Sequence, residues 1–86
     1  MEIEYHADAL SDREYWMKSG NKAIQKKITQ LIAAIMDNPF EGLGKPEPLK
    51  YQYAGLWSRR INKEHRLIYK VEDNLIKIYS MKGHYQ

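Results

Sequence analysis

A chain of 86 residues has room for one small core and no sizeable enclosed cavity, so a site must lie on the surface or in a shallow cleft of a single domain spanning residues 1–86. It contains no cysteine, which excludes a disulfide framework, and no apolar run long enough to form a membrane-spanning helix. The net charge of +3 is unevenly placed: residues 1–44 carry five Lys/Arg against seven Asp/Glu, and residues 45–86 carry nine against four. That basic half also holds Trp57, Tyr69, Tyr79 and Tyr85, a composition suited to a polyanion with stackable bases. The N-terminal residues lack the basic and apolar regions of a secretory signal, and the expected location is cytoplasmic, with no membrane role.

In chain order, Ile3 and Tyr5 alternate with Glu2 and Glu4 in the period of a short, half-buried strand. Asp8 and Asp12 favour a helix start, and Ala9, Leu10, Trp16 and Met17 recur at seven-residue spacing until Gly20. Asn21 can cap a second helix whose stripe is Ile24, Ile28, Leu31, Ile32 and Ile35. Asn38-Pro39 stops it, because proline disfavours helical geometry in its predecessor. So short a link predicts an antiparallel helix pair.

Residues 38–50, Asn-Pro-Phe-Glu-Gly-Leu-Gly-Lys-Pro-Glu-Pro-Leu-Lys, contain all three prolines and read as a loop whose path is fixed by locked φ angles and glycine turns. Glu47 sits between Pro46 and Pro48, flanked by Lys45 and Lys50, either as a positioned carboxylate or as a solvated loop acid. Three strands follow: one from about Leu56 to Ile61, a second with Leu67, Tyr69 and Val71 on its inner face, and a last from Leu75 to Met81. The turns fall at Asn62-Lys63-Glu64 and Glu72-Asp73-Asn74. The expectation is an α+β domain with the helix pair packed on an antiparallel sheet. Trp57 and Ile61 share one face, with Ser58 and Arg60 on the other, so Arg60, Arg66 and Lys70 point away from the helices. Lys63, Lys70 and Lys77 read as solubilising charges, whereas the adjacent Arg59 and Arg60, with Arg66, suit bidentate phosphate contact.

No Cys/His spacing supports a metal site, and Gly42-Leu43-Gly44-Lys45 is too short for a phosphate loop. No metal or other cofactor is expected. Metal-free RNA cleavage needs a base for the ribose 2′-proton, a cation at the phosphate and an acid for the departing 5′-oxygen. Glu47, Arg66 and His84 would fill those roles in turn. His84 lies near a chain end, where a histidine is otherwise a frayed surface side chain.

Residues 38–50, then Gly55-Leu56-Trp57-Ser58-Arg59-Arg60-Ile61, Glu64-His65-Arg66-Leu67-Ile68-Tyr69 and His84-Tyr85, together resemble the YoeB/Txe family of toxin endoribonucleases. Tyr15-Trp16 and Lys26-Lys27-Ile28 fit as well. The resemblance implies a RelE-like, microbial-ribonuclease-type fold and cleavage of mRNA in the A site of the small ribosomal subunit. It also implies inhibition by a YefM/Axe-type antitoxin, and a homodimer. Carried over by position, Glu47 corresponds to the general base, Arg66 to the transition-state cation and His84 to the general acid. Lys50, Arg60 and Tyr85 match positions that bind or orient the RNA, Arg59 is placed beside Arg60 as a phosphate or ribosomal RNA contact, and Trp57 is read as core or dimer packing. The chain departs from the family pattern at Tyr51, where a His commonly follows the Lys50 position, at Met81-Lys82-Gly83, and at Gln86 after the His-Tyr pair. From the basic half alone, the chain also reads as a catalytically silent RNA- or DNA-binding module acting through an antitoxin complex.

Overall fold

The computed structural model describes residues 1–83. Strand β1 (Glu2–Tyr5) leads into helices α1 (Ala7–Ser19) and α2 (Lys22–Asp37). Strands β2 (Glu47–Pro48), β3 (Trp57–Arg60), β4 (Arg66–Glu72) and β5 (Leu75–Ser80) follow, with a 3-10 turn at Tyr51–Tyr53. The five strands form one sheet in the order β1-β5-β4-β3-β2.

The helices form where sequence chemistry places them. Gly20 ends α1 in the left-handed region at φ 73°, and Asn21 Oδ1 accepts the Ile24 N–H at 3.1 Å, so two residues reverse the chain. Helix α2 buries Ile24, Ile28, Leu31 and Ile35 against the sheet. Ala9 and Trp16 bury the inner side of α1, while Leu10 and Met17, on the same seven-residue spacing, stand about half exposed or more. The core closes with Leu67, Tyr69, Ile76, Ile78 and Met81, and Ile3, Tyr5, Trp57 and Val71 pack at its margin.

Two features differ from the sequence expectation. The sheet is mixed, because β1 runs parallel to β5. A parallel pair requires a long crossover, and the helix pair that follows β1 begins one. The proline-rich segment is also not wholly loop: Glu47 and Pro48 pair antiparallel with Ser58 and Trp57 as an edge strand. An edge is where proline's missing N–H leaves no ladder bond unmade.

Candidate functional site

Strand pairing decides which side chains meet. Glu47 lies opposite Ser58, Ser58 opposite Ile68, and Ile68 opposite Ser80, so these four form one row across four strands. Leu67 and Tyr69 belong to the core under the helices, and alternation therefore turns Ser58 and Ile68 to the other face. One step along that face, Arg60 is paired directly with Arg66. Glu47 is the diagonal neighbour of Arg60, a relation that separates two residues by about 7–8 Å, their Cβ atoms somewhat less. The pairing thus gathers an exposed carboxylate, an exposed guanidinium and a half-buried guanidinium at one end of the sheet.

Arg66 is held by its own hairpin. Its Nη1 donates to the carbonyls of Asn62, at 2.7 Å, and His65, at 3.2 Å. The turn that supplies these carbonyls is fixed by Asn62 Oδ1, which accepts the N–H groups of Glu64 and His65 at 2.9 and 2.8 Å. Its Nε and Nη2 have no partner among the described residues.

The segment after β5 is tied to this hairpin and to α1. The Met81 N–H donates to Asp12 Oδ2 at 2.8 Å, and Trp16 Nε1 donates to the Met81 carbonyl at 2.8 Å. The Gly83 N–H donates to His65 Nδ1 at 2.9 Å, and the Arg66 N–H donates to the Gly83 carbonyl at 2.7 Å. The His65 ring meets Trp16 edge-on at 4.9 Å. Gly83, the residue before His84 in sequence, is therefore anchored at Arg66. His84 and Tyr85, which the sequence assigns as acid and RNA contact, lie outside the described residues. The sequence gives His65 no role of its own, and nothing in it points to this anchoring or to the parts of Asp12 and Trp16 in it.

Arg59 corrects the expectation that it contacts phosphate. It is fully buried. Its Nε donates to Tyr69 Oη at 3.1 Å, Nη1 to the Leu43 carbonyl at 3.0 Å, and Nη2 to the carbonyls of Asn38 and Glu41. Tyr69 Oη in turn donates to the Pro39 carbonyl at 2.6 Å. Burial raises the Tyr69 pKa, with the Arg59 guanidinium opposing that shift. Strand alternation accounts for the placement, since Arg59 falls on the Trp57 face and Arg60 on the other. Arg59 acts instead by pinning the loop that leads into β2. Gly44, at φ 88°, completes the attachment: its carbonyl accepts the Arg60 N–H at 2.7 Å, and a Cβ there would lie 2.6 Å from Leu31 Cδ2.

Lys50 is exposed beside Glu47, and both line a shallow depression of about 220 Å³ with Tyr51 and Tyr53. Trp57 packs at the core margin with its ring 4.9 Å from Phe40. Lys70 and Lys77 pair with Glu72 at 2.9 and 3.4 Å, lowering the pKa of that carboxyl, and belong to the surface as expected. Lys63 does not share that arrangement: with Lys27, Lys45, Arg60 and Arg66 it lines a groove of about 440 Å³.

The chain is a small basic α+β domain with paired arginines and a proline-flanked carboxylate on the sheet face opposite two helices. A family profile described as the YoeB-like toxin of bacterial type II toxin-antitoxin system matches residues 5–85. The chain is 50% identical to Toxin YoeB of Synechocystis sp. (strain ATCC 27184 / PCC 6803 / Kazusa) over 90% of its own length and 91% of the relative's. It is 45% identical to Toxin YoeB of Escherichia coli (strain K12) over 99% and 100%. Among solved structures, the YoeB/ParE toxin from Agrobacterium tumefaciens superposes with a TM-score of 0.93 at 38% identity, covering 99% of this chain and 100% of that one. The toxin in a YoeB-YefM complex from Staphylococcus aureus superposes at 0.87 with 49% identity, covering 96% and 95%, and a YoeB dimer from the same organism at 0.88 with 46%, covering 99% and 98%. The chain belongs to the YoeB-like toxins of bacterial type II toxin-antitoxin systems.

Proposed function

We propose that this toxin is a ribosome-dependent endoribonuclease that cuts mRNA in the ribosomal A site by general acid-base catalysis without a metal. The observation that carries the reading is the convergence of Glu47, Arg60 and Arg66 on one sheet face, with Gly83 bonded at Arg66. In the proposed step, Glu47 takes the proton of a ribose 2′-hydroxyl and the freed oxygen attacks the adjacent phosphorus. Negative charge grows on the non-bridging oxygens, where Arg66 offers its uncommitted guanidinium nitrogens. The bond to the 5′-oxygen breaks as His84 delivers a proton to it, leaving a 2′,3′-cyclic phosphate on one fragment and a 5′-hydroxyl on the other. Lys50, Arg60 and Tyr85 hold the strand, Arg60 through the phosphate and Tyr85 as a surface for a base.

The relatives' structures supply the partners proposed here. A YefM-type antitoxin would cover the basic face, and the chain would pair with a second copy of itself. An acidic antitoxin segment folding onto Arg60 and Arg66 would silence the site by occlusion.

Cleavage mapping on translating ribosomes tests this directly. Wild-type protein should cut within translated codons, whereas His84→Gln should cut at least about a hundredfold more slowly in single turnover. Growth arrest with intact mRNA, or an undiminished His84→Gln phenotype, would instead favour the silent binding module.

A further inference from the structure

The groove of Lys27, Lys45, Arg60, Lys63 and Arg66 is larger than two arginines at one phosphate require. Its cations come from α2, from the loop before β2, and from both strands and the turn of the β3-β4 hairpin. Among the described residues no acidic side chain lines it. Lys27, Lys45 and Lys63 make no salt bridge among the described residues, although Lys18, Lys70 and Lys77 each find a carboxylate. The fold also presents this cluster on constrained backbone: Lys45 sits at φ 51°, next to the pinned Gly44, and Lys63 rides on the Asn62-fixed turn. Like charges gathered without counter-charge raise the local potential and lower stability unless an anion is bound.

From this juxtaposition we infer that Lys27, Lys45 and Lys63 form a phosphate track which carries the RNA strand off the sheet and onto α2, beyond the scissile position. The inference rests on the proposed RNA site and adds where the strand goes next. The ligand class is a single-stranded phosphodiester backbone. A docked peptide helix would need apolar anchors, and the one large apolar residue in the lining, Ile61, is itself buried. Ammonium groups at the rim act as point charges toward successive phosphates, while Arg60 and Arg66 give the directional contacts.

The test is the salt dependence of binding to an RNA oligonucleotide made uncleavable by a 2′-deoxy nucleotide at the scissile position. Fluorescence anisotropy from 50 to 200 mM NaCl gives the slope of log K against log salt for wild type and for Lys27→Gln/Lys45→Gln/Lys63→Gln. Each single-strand phosphate contact contributes about 0.7 to that slope, so losing three should flatten it by about 2. A charge-matched control, Lys18→Gln/Lys22→Gln/Lys26→Gln, should keep a slope close to wild type. Should Lys27→Gln impair folding, as thermal melting will reveal, the Lys45→Gln/Lys63→Gln pair carries the test with a fall of about 1.4. A wild-type slope in the groove variant, or an equal fall in the control, overturns the track. Loss of antitoxin affinity with an unchanged RNA slope would assign the groove to protein docking and also overturn it. Because wild-type cleavage is measured separately, failure of the track leaves the nuclease reading standing, and failure of cleavage is visible on its own.

Discussion

The buried guanidinium of Arg59 joins residues 38–44 to the sheet through three main-chain carbonyls and the Tyr69 hydroxyl. Lysine cannot reproduce that fork, since a single ammonium reaches fewer of those acceptors and leaves the others buried and unpaired. Arg59→Lys should therefore lose about 3 kcal/mol or more of unfolding free energy by urea denaturation, and RNA affinity should fall only as far as the folded fraction does. Arg60→Lys should behave oppositely, weakening RNA binding with little change in stability, because Arg60 is exposed. The distinction was within reach of the sequence. Period-two alternation already put Trp57 and Ile61 on the inner face, and Arg59 shares their parity, yet the Arg-Arg pairing suggested a joint phosphate contact. What alternation could not supply was the set of acceptors, because the carbonyls of Asn38, Glu41 and Leu43 belong to a loop whose path only the folded chain defines.

Among the elements, α2 and the β3-β4 hairpin were readable because a wide apolar stripe and strict alternation each have a physical period. Strand β2 was not, since two residues next to prolines carry no period and their pairing depends on the partner's register. The parallel docking of β1 on β5 was hidden for a related reason: the direction in which a strand returns after two helices is settled by packing. The anchor at residues 81–83 shows what such long-range contacts do. His65→Phe keeps a ring against Trp16 but removes the acceptor for the Gly83 N–H, and should cost about 1 kcal/mol and speed exchange of that amide. His65→Asn, whose Oδ1 can accept from the same direction, should restore slow exchange. On β4 and β5, the Lys70 and Lys77 ammonium groups hold the Glu72 carboxyl below its ordinary value of 4.5. A folded-state pKa below the unfolded one means that the contribution is present above the unfolded value and lost as pH falls through the folded one. Glu72→Gln should accordingly lower the melting temperature slightly at pH 7, and the difference from wild type should vanish in acid, below the carboxylate range.

At the scale of the whole molecule, the helices and the arginine-bearing face lie on opposite sides of one thin sheet. The core is built by α1, α2 and the inward side chains; on the other face Ser58, Ile68 and Ser80 are buried as well, while Glu47 and Arg60 at the end of the sheet are exposed. The sequence disclosed that polarity as a charge imbalance between its halves, and the strand register turned it into a place where Glu47, Arg60 and Arg66 adjoin. A binding face alone has no use for a carboxylate there, since it would repel phosphate. A reaction that begins with proton abstraction requires one. The decisive measurement is single-turnover cleavage of A-site mRNA on programmed ribosomes by Glu47→Ala beside wild type, with ribosome binding measured in parallel. Catalysis by this face predicts unchanged binding and a rate reduced at least about a hundredfold; cleavage at the wild-type rate by bound Glu47→Ala would contradict it.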